Sequence, residues 1–272
     1  MKNTWTGERL ETFIKSRDAI EHLHRYSLAL EYIKGKVVVD IASGEGYGSN
    51  LMSKVANHVY GVDIDNAAIE NAKNKYIKNN LEFLNGSADN IPIASNSVDV
   101  VVSFETIEHH DKHDEMMLEI KRILKEDGLL IMSSPDKKFY SDTRNYKNEF
   151  HVKELYKDEF NNLIAKYFNN HQLLNQVYFN DFSIISNDQS TTLDAVYDGD
   201  YSETEKYSVN ALFLIAIASN FNFKRSDLSV FSGLKLKEDV LNSSIYLSNS
   251  YRLGSFLLSP FKILKKIIKT KN

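Results

Sequence analysis

The chain of 272 residues contains no cysteine. This excludes thiol catalysis, cysteine-held zinc or iron–sulfur sites, and a disulfide framework. With only 3 prolines and 11 glycines, it is neither collagen-like nor low-complexity. The longest apolar run, ALFLIAIA at residues 211–218, is far shorter than the roughly 20 residues that span a membrane. Because the N-terminal residues lack an apolar leader as well, we expect a globular cytoplasmic protein.

Positive charge is scarce outside one segment. The chain has 33 basic and 37 acidic residues, a net charge of −4, but residues 252–272 hold six basic residues and no acid. The remainder therefore has 27 basic and 37 acidic residues, a net charge of −10. An acidic body disfavours a nucleic-acid partner, because phosphate binding needs a basic surface.

The basic segment also has an apolar pattern. If it is helical after Pro260, one face collects Phe261, Ile263, Leu264, Ile267 and Ile268. Such a face flanked by lysines is typical of a helix that lies on an anionic membrane, and it predicts peripheral contact with the inner face of the membrane. A frayed tail, or one packed on a partner subunit, is the alternative, and the oligomeric state stays open.

Between residues 36 and 134, short β-branched runs alternate with longer amphipathic stretches. This pattern indicates βα units around a parallel sheet. The predicted strands are Lys36–Ile41, His58–Asp63, Leu81–Asn85, Val98–Ser103 and Gly128–Ser133. The predicted helices between them are Tyr47–Ala56, Asn66–Lys78 and Lys112–Leu124. The fold class is therefore α/β, with a Rossmann-like, doubly wound sheet.

The regions around this core give the predicted domain organisation. Residues 1–35 form a helical cap, residues 36–224 the main domain, and residues 225–272 a C-terminal extension that ends in the basic tail. Outside the βα core we expect helices over Asp18–Lys34 and Val152–Phe168 and closing strands over Leu173–Phe179 and Ser208–Ala218. The acidic, polar residues 186–206 between those strands predict an inserted loop.

Acids and glycines follow the first two predicted strands. Asp40 lies at the end of the first strand. Gly44, Gly46 and Gly48 lie in the turn after it, where the absence of a Cβ lets backbone N–H groups approach a ligand. Asp63 ends the second strand, 19 residues after Gly44, where a carboxylate can accept both hydroxyls of a ribose. The pattern predicts an adenosine-type cofactor, either a dinucleotide or S-adenosylmethionine; a tight turn with a solvated aspartate is the alternative.

Four segments occur in this order: VVVDIASGEGYG, GVDID, NGSADNIPIASNSVDVVVSFETIEH and EIKRILKEDGLLIMSSP. Together they resemble the class I S-adenosylmethionine-dependent methyltransferases, over about residues 36–135. The resemblance implies a seven-stranded sheet with the last strand antiparallel, and S-adenosylmethionine as the cofactor. The residues it implies at the methionine part are Asp40, Ala42, Gly44 and Gly46. Those it implies at the ribose, the adenine or elsewhere near the cofactor are Asp63, Ile64, Ser87, Ala88, Phe104 and Tyr26, with Arg25 beside Tyr26.

One position departs from the family pattern. These enzymes usually have Gly-Asp-Ala after the third strand, whereas this chain has Gly86, Ser87 and Ala88. A serine hydroxyl still forms hydrogen bonds, and the Ala88 backbone can contribute as well. We therefore expect the cofactor site to persist, with weaker binding at this point.

The fourth predicted strand runs into SFETIEHH, which places Glu105, Glu108 and His109 at i, i+3 and i+4. In a helical turn the three face one side, at the sheet edge where open α/β proteins bind ligands. Two carboxylates and an imidazole in one patch suit a divalent cation. The motif resembles the site of metal-dependent small-RNA 2′-O-methyltransferases and of ubiquinone-biosynthesis O-methyltransferases. The RNA enzymes add a later histidine, which His151 matches here, and the mixed ligands favour Mg²⁺ or Mn²⁺.

Two simpler interpretations of this motif stay open. Glu105 and Glu108 would only favour a helix start through the helix dipole, or His109 would act alone as a general base. In the catalytic interpretations, these residues promote attack by an acceptor hydroxyl, which is a poor nucleophile until its proton is removed.

The segment SSPDKKFYSDTRNYKNEFHVKELYKDEF resembles methyltransferases encoded among bacterial polysaccharide genes, including O-antigen-modifying enzymes. This resemblance implies that the acceptor is a sugar hydroxyl of a surface polysaccharide or its precursor. Tyr140, Tyr146 and Phe150 offer an aromatic platform for a sugar ring. Two other functions stay open: O-methylation of a small aromatic or quinone precursor, and a nicotinamide oxidoreductase or catalytically silent nucleotide-binding subunit.

Overall fold

The computed structural model describes residue 10, residues 12–187 and residues 192–238. The chain divides into two compact units, Met1–Phe231 and Ser232–Asn272. The second unit is described only over residues 232–238, of which residues 234–238 are helical. The basic tail lies outside the described residues, and its membrane contact stays a prediction. In the part of the chain that is described, no helix is both long and apolar enough to span a bilayer.

The strands and helices follow the chain in alternation up to residue 135. The strands are β1 (Val37–Ile41), β2 (His58–Asp63), β3 (Leu81–Asn85), β4 (Val98–Ser103), β5 (Leu124–Pro135), β6 (Asn170–Phe179), β7 (Phe182–Ser186), β8 (Thr192–Gly199), β9 (Thr204–Asn210), β10 (Phe213–Ser219) and β11 (Leu228–Ser232). The helices around them are α1 (Arg17–Leu30), α2 (Tyr47–Met52), α3 (Asn66–Lys75), α4 (His113–Ile123) and α5 (Lys157–Tyr167).

The main sheet has the order β11-β7-β6-β10-β5-β4-β1-β2-β3. Strands β3, β2, β1, β4 and β5 pair in parallel, in this order, and their valines and isoleucines, apart from the partly exposed Val37, are buried because both faces are covered. β10 runs antiparallel between β5 and β6. The predicted α/β fold, with a doubly wound sheet and a late antiparallel strand, is confirmed.

Among the described residues the sheet has nine strands, so the expected number of seven is wrong. β7 pairs with the edge of β6 and β11 follows it, which carries the sheet past residue 224, the predicted end of the main domain. Both added strands direct a serine inward: Ser183 and Ser229 each lie 2.9 Å from a ring nitrogen of His24 on α1. Because these inward positions are polar, the two segments lack the apolar alternation by which strands are predicted.

The predicted loop at residues 186–206 is also corrected. Most of it belongs to a hairpin of β8 and β9, and the closing strand predicted over Ser208–Ala218 is divided between β9 and β10. Val196 is 5% exposed, and the Tyr207 ring lies 5.8 Å from Phe179 of β6. Packing on β6 therefore stabilises a segment whose acidic composition indicates a loop.

Helix α1 covers the mouth of the sheet. Its Tyr26 ring packs so closely on Gly48 that a Cβ at that glycine would lie 2.0 Å from the ring. Arg25, the neighbour of Tyr26, is fully buried. The cap predicted at the N-terminus thus contributes two side chains to the carboxyl edge of the sheet.

The central position of β10 predicts how two substitutions differ. Ile215→Ala, at a fully buried site in β10, should lower the free energy of unfolding by about 2–5 kcal/mol, because it leaves a cavity. Leu228→Ala in β11, where the side chain is 66% exposed, should cost less than about 0.5 kcal/mol. Urea unfolding measures both, and equal losses would contradict this sheet order.

Candidate active site

A cavity of about 840 Å³ opens at the carboxyl ends of β1, β2 and β4. It is lined by side chains of α1, by the turns after these strands and by the segment from Tyr140 to His151. Open α/β sheets bind ligands at this edge.

The turn after β1 depends on left-handed backbone conformations. Ala42, Gly44 and Gly46 have φ values of 58°, 51° and 76°. A Cβ at Gly46 would lie 2.6 Å from the Phe83 ring, so glycine is required there by conformation and by space. The turn brings the backbone N–H of Gly44 to the next strand, where it donates to Asp63 Oδ2 at 2.8 Å.

The two aspartates on the glycine-rich side of the cavity are held by different donors. Asp40 is buried and accepts hydrogen bonds from Ser49 Oγ at 2.6 Å and from the Tyr26 hydroxyl at 3.3 Å. Burial raises the pKa of Asp40 to about 7. Asp63 accepts from the N–H groups of Gly44 and Asp65, which fixes its carboxylate at the cavity wall.

The rim beyond Asp63 is partly apolar. Ile64 is 72% exposed beside the cavity. Ser87 Oγ donates to Asp89 Oδ1 at 2.6 Å, and Lys112 forms an ion pair with the other carboxylate oxygen of Asp89. The hydrogen bond from Lys112 lowers the pKa of Asp89 to about 2. Asp89 therefore lies two residues after Ser87, the serine that occupies the position where class I methyltransferases usually have aspartate.

Glu105, directly after β4 and Phe104, adopts φ = 51°, a strained conformation for a residue with a Cβ. Its carboxylate accepts from Ser133 Oγ at 2.6 Å and lies 3.5 Å from Arg25 Nη1. A 3₁₀ turn over Ile107–His109 then starts, so Glu105 precedes this turn. The prediction that Glu105, Glu108 and His109 share one face of a helical turn is therefore wrong.

Glu108, His109 and His151 form the compact cluster on the histidine side of the cavity, with one potential ligand atom from each within 4.8 Å of the others. Glu105 is not in this cluster, because its carboxylate is held by Ser133 and Arg25. Glu108 is 1% exposed, and neither of its carboxylate oxygens has a hydrogen-bond partner in the part of the chain that is described. Burial and the charge of Glu105 raise its pKa well above the ordinary value.

The two histidines are oriented by hydrogen bonds from outside the cluster. His109 Nδ1 lies 3.0 Å from the Phe150 carbonyl oxygen, and His109 Nε2 lies 4.0 Å from Glu108 Oε1. His151 Nδ1 lies 2.5 Å from Glu154 Oε1, and its Nε2 accepts from Asn148 Nδ2 at 2.9 Å. Partners of this kind set the tautomer of a metal-binding or proton-accepting imidazole.

Arg25 connects this site to the added strands. Its Nη1 donates to Gln176 Oε1 at 2.9 Å, and Gln176 Nε2 donates to the Glu21 carbonyl oxygen and to Ser183 Oγ. Ser183 then contacts His24, whose pKa burial lowers to about 4. Hydrogen bonds and one ion pair therefore link Ser183 of β7 through Gln176 and Arg25 to Glu105 at the cavity.

Comparisons with known proteins agree with this geometry. Residues 39–132 match the family model of a methyltransferase domain. A Mycobacterium tuberculosis (strain H37Rv) protein, described as a probable S-adenosylmethionine-dependent methyltransferase, is 35% identical over 164 residues, 59% of each chain. A phthiotriol/phenolphthiotriol dimycocerosates methyltransferase of Mycobacterium ulcerans is 27% identical over 118 residues, 43% of each chain. The chain thus spans about three-fifths of the length of the first of these relatives.

A solved structure gives the fold. A SAM-dependent methyltransferase of Thermotoga maritima has a TM-score of 0.53 and 17% identity, over 75% of this chain and 92% of that one. The chain has the class I methyltransferase fold. The domain match and the named relatives support an enzyme that uses S-adenosylmethionine.

Most residues expected at the cofactor of this methyltransferase fold line the one cavity: Tyr26, Ala42, Gly44, Asp63, Ile64, Ser87, Ala88 and Phe104. Asp40 and Gly46 are not lining residues; Asp40 contacts Tyr26, and Gly46 precedes α2. Sequence reasoning missed Asp89 and Lys112. An acid two residues after Ser87 was the available signal for Asp89, whereas its pairing with Lys112 depends on the fold.

The buried network around Gln176 generates a stability prediction. Gln176→Ala should lower the free energy of unfolding by about 3 kcal/mol, because Arg25 Nη1 and Ser183 lose buried partners. Asn170→Ala on the same strand removes one partly buried hydrogen bond and should cost about 1 kcal/mol or less. Urea unfolding compares the two, and equal losses would show that the network adds no stability.

Proposed function

We propose that this chain is an S-adenosylmethionine-dependent O-methyltransferase that acts on a sugar hydroxyl of a bacterial surface polysaccharide or its precursor, assisted by a divalent metal. One observation carries the proposal. The same cavity is lined by Gly44 and Asp63 on one side and by Glu108 and His109 on the other. A cofactor on one side and an acceptor on the other would therefore meet inside it.

The cofactor side is suited to an adenosyl group with a charged amino-acid end. The Asp63 carboxylate lines this side, and a carboxylate can accept several hydrogen bonds at once, which suits a ribose diol; Ile64 offers an apolar surface for adenine. Tyr26 lines the cavity as well, with the buried Asp40 carboxylate behind its hydroxyl, and a cationic methionine end close to Asp40 would stabilise this carboxylate. The match of residues 39–132 to a methyltransferase domain favours S-adenosylmethionine over a nicotinamide dinucleotide.

The acceptor side is suited to O-methylation because it carries a base. Methyl transfer forms a bond from the acceptor oxygen to the methyl carbon, breaks the carbon–sulfur bond and releases the hydroxyl proton. In the absence of an ion, His109, whose Nδ1–H is donated to the Phe150 carbonyl oxygen, would present Nε2 as the nitrogen that accepts this proton. With an ion bound, the same nitrogen would be a ligand, and the proton of the activated hydroxyl would pass to water. Arg25 holds the Glu105 carboxylate at the same wall, which limits the positions open to the acceptor.

The residues of this side fit a divalent cation. Two buried carboxylate oxygens of Glu108 without hydrogen-bond partners among the described residues are costly unless they are protonated or bound to a cation. Glu108, His109 and His151 would hold the ion, with Asn148 Nδ2 releasing His151 Nε2 to it, and their oxygen and nitrogen donors suit Mg²⁺ or Mn²⁺. Such an ion lowers the pKa of a coordinated hydroxyl.

The acceptor is proposed from the wall that faces this cluster. Tyr140, Tyr146 and Phe150 all line the cavity, and the latter two are 44% and 41% exposed, so their ring faces are available to a sugar. A hydroxyl on a lipid acceptor is the second candidate. It is favoured by the phthiotriol/phenolphthiotriol dimycocerosates methyltransferase among the relatives.

The proposed cofactor predicts a specific loss of binding. Asp63→Asn should weaken S-adenosylhomocysteine binding about tenfold or more, because a charged acceptor of the ribose hydroxyls is lost. The matched control is Asp65→Asn, since the Asp65 carboxylate caps α3 outside the set of residues that line the cavity, and asparagine caps equally well. Isothermal titration calorimetry measures both variants and compares S-adenosylhomocysteine with NAD. Tighter binding of NAD to the wild-type protein would refute the methyltransferase proposal.

The proposed metal predicts a histidine-specific binding site. After chelation and dialysis, the wild-type protein should bind one Mn²⁺, as measured by electron paramagnetic resonance of free Mn²⁺. His151→Ala should weaken this binding by at least about tenfold, because removal of a residue that supports a metal site typically lowers metal affinity by this factor or more. His110→Ala is the control, because His110 is outside the cluster. The metal part fails if the wild-type protein binds no Mn²⁺ or if both variants behave alike.

A further inference from the structure

The basic side chains around the cavity differ in whether a carboxylate is paired with them. Among the described residues, the basic side chains that line it are Arg17, Arg25, Lys112 and Arg144. The first three form ion pairs with Glu21, Glu105 and Asp89, respectively. Arg144 has no carboxylate within ion-pair distance in the described parts of the chain. Its charge is therefore available to a ligand.

Aromatic rings hold this guanidinium in place. Its central carbon lies 5.5 Å from the centroid of the Tyr140 ring and 5.1 Å from that of Tyr146. Its hydrogen bond to the Tyr140 carbonyl oxygen is long, at 3.4 Å, and the side chain is exposed. Stacking on rings orients a guanidinium but does not occupy its N–H donors. The planar fork therefore remains free for two-point binding of an anion.

Arg144 is connected to the cluster of Glu108, His109 and His151 through the ring of Tyr140. The Tyr140 ring stacks on His151 with centroids 5.3 Å apart, so one tyrosine ring contacts both the guanidinium and a histidine of the cluster. The other arginine and lysine side chains that line the cavity among the described residues, Arg17, Arg25 and Lys112, are each paired with a carboxylate. An anionic group of a ligand is therefore directed toward Arg144, about one ring away from the proposed methylation point.

We propose that Arg144 binds a phosphate or carboxylate group of the acceptor, and that the acceptor class is therefore an anionic saccharide, either a sugar phosphate or a uronic acid. The inference rests on the proposed function, because it assumes that the histidine side of the cavity holds the acceptor. Arg144 then determines specificity, and Tyr140 and Tyr146 position its guanidinium.

The test uses the full chain labelled with ¹⁵N-arginine and saturated with S-adenosylhomocysteine. Inorganic phosphate, glucose 1-phosphate, glucuronate and neutral glucose are titrated in turn while the arginine Nε–H resonances are recorded. Arg144→Lys identifies the Arg144 resonance by its loss. We expect saturable shifts of this resonance with the three anions and none with glucose. The tighter of glucose 1-phosphate and glucuronate distinguishes a phosphate from a carboxylate as the natural group.

Two controls separate specific binding from general charge effects. Arg225 also stacks on an aromatic ring, with its guanidinium carbon 5.7 Å from the Phe223 centroid, but it does not line the cavity, so its resonance should stay unchanged. Arg144→Gln should weaken binding of the preferred sugar anion about tenfold, while its unchanged affinity for S-adenosylhomocysteine shows that it is folded.

The negative outcomes are distinct. An Arg144 resonance that none of the anions shifts, or that glucose shifts equally, overturns the inference, as do equal shifts of Arg144 and Arg225 or an unaltered affinity of Arg144→Gln. Each of these leaves the methyltransferase proposal intact. A wild-type protein that does not bind S-adenosylhomocysteine instead refutes the proposed function itself.

Discussion

The ion pair between Arg25 and Glu105 lies where helix α1, the sheet edge and the loop after β4 meet. Arg25 is 0% exposed, and a buried cation is costly unless nearby groups stabilise it. Glu105 supplies the opposite charge, Gln176 an acceptor, and the Phe213 ring a face 4.8 Å away. The positions of α1 over the cavity and of Glu105 in its strained conformation both follow from this requirement.

The buried carboxylates on the two sides of the cavity differ in their hydrogen-bond donors. On the glycine-rich side, hydroxyl and backbone N–H donors stabilise Asp40 and Asp63, so these groups are prepared to accept hydrogen bonds from a ligand. Burial raises the pKa of both Asp40 and Glu108, but on the histidine side Glu108 has no such donors among the described residues. That side attracts a proton or a cation. This contrast is the physical basis for assigning cofactor and acceptor to opposite ends.

Local signals account for the parts that could be predicted. β1, β2 and β4 are short, apolar and β-branched, so their bounds could be read from the sequence to within a residue. The acids and the glycine turn at their carboxyl ends then lie together because parallel strands end at one edge. β7 and β11 could not be found in this way, since their inward serines are satisfied by His24 of a distant helix. The direction of Glu105 depends on Arg25 and Ser133, which lie far from it in the chain.

The sequence by itself determined the parallel core, the glycine-rich turn and the residue types available for chemistry, because periodicity and backbone conformation are local properties. Only the tertiary structure decided which of those residues act together. It places His151 beside Glu108 and His109, and it pairs Glu105 with Arg25. It also pairs Asp89 with Lys112 and places Arg144 against two tyrosine rings. Such pairings are set by burial, since a charge removed from water binds whichever opposite charge or donor the packed chain brings within reach.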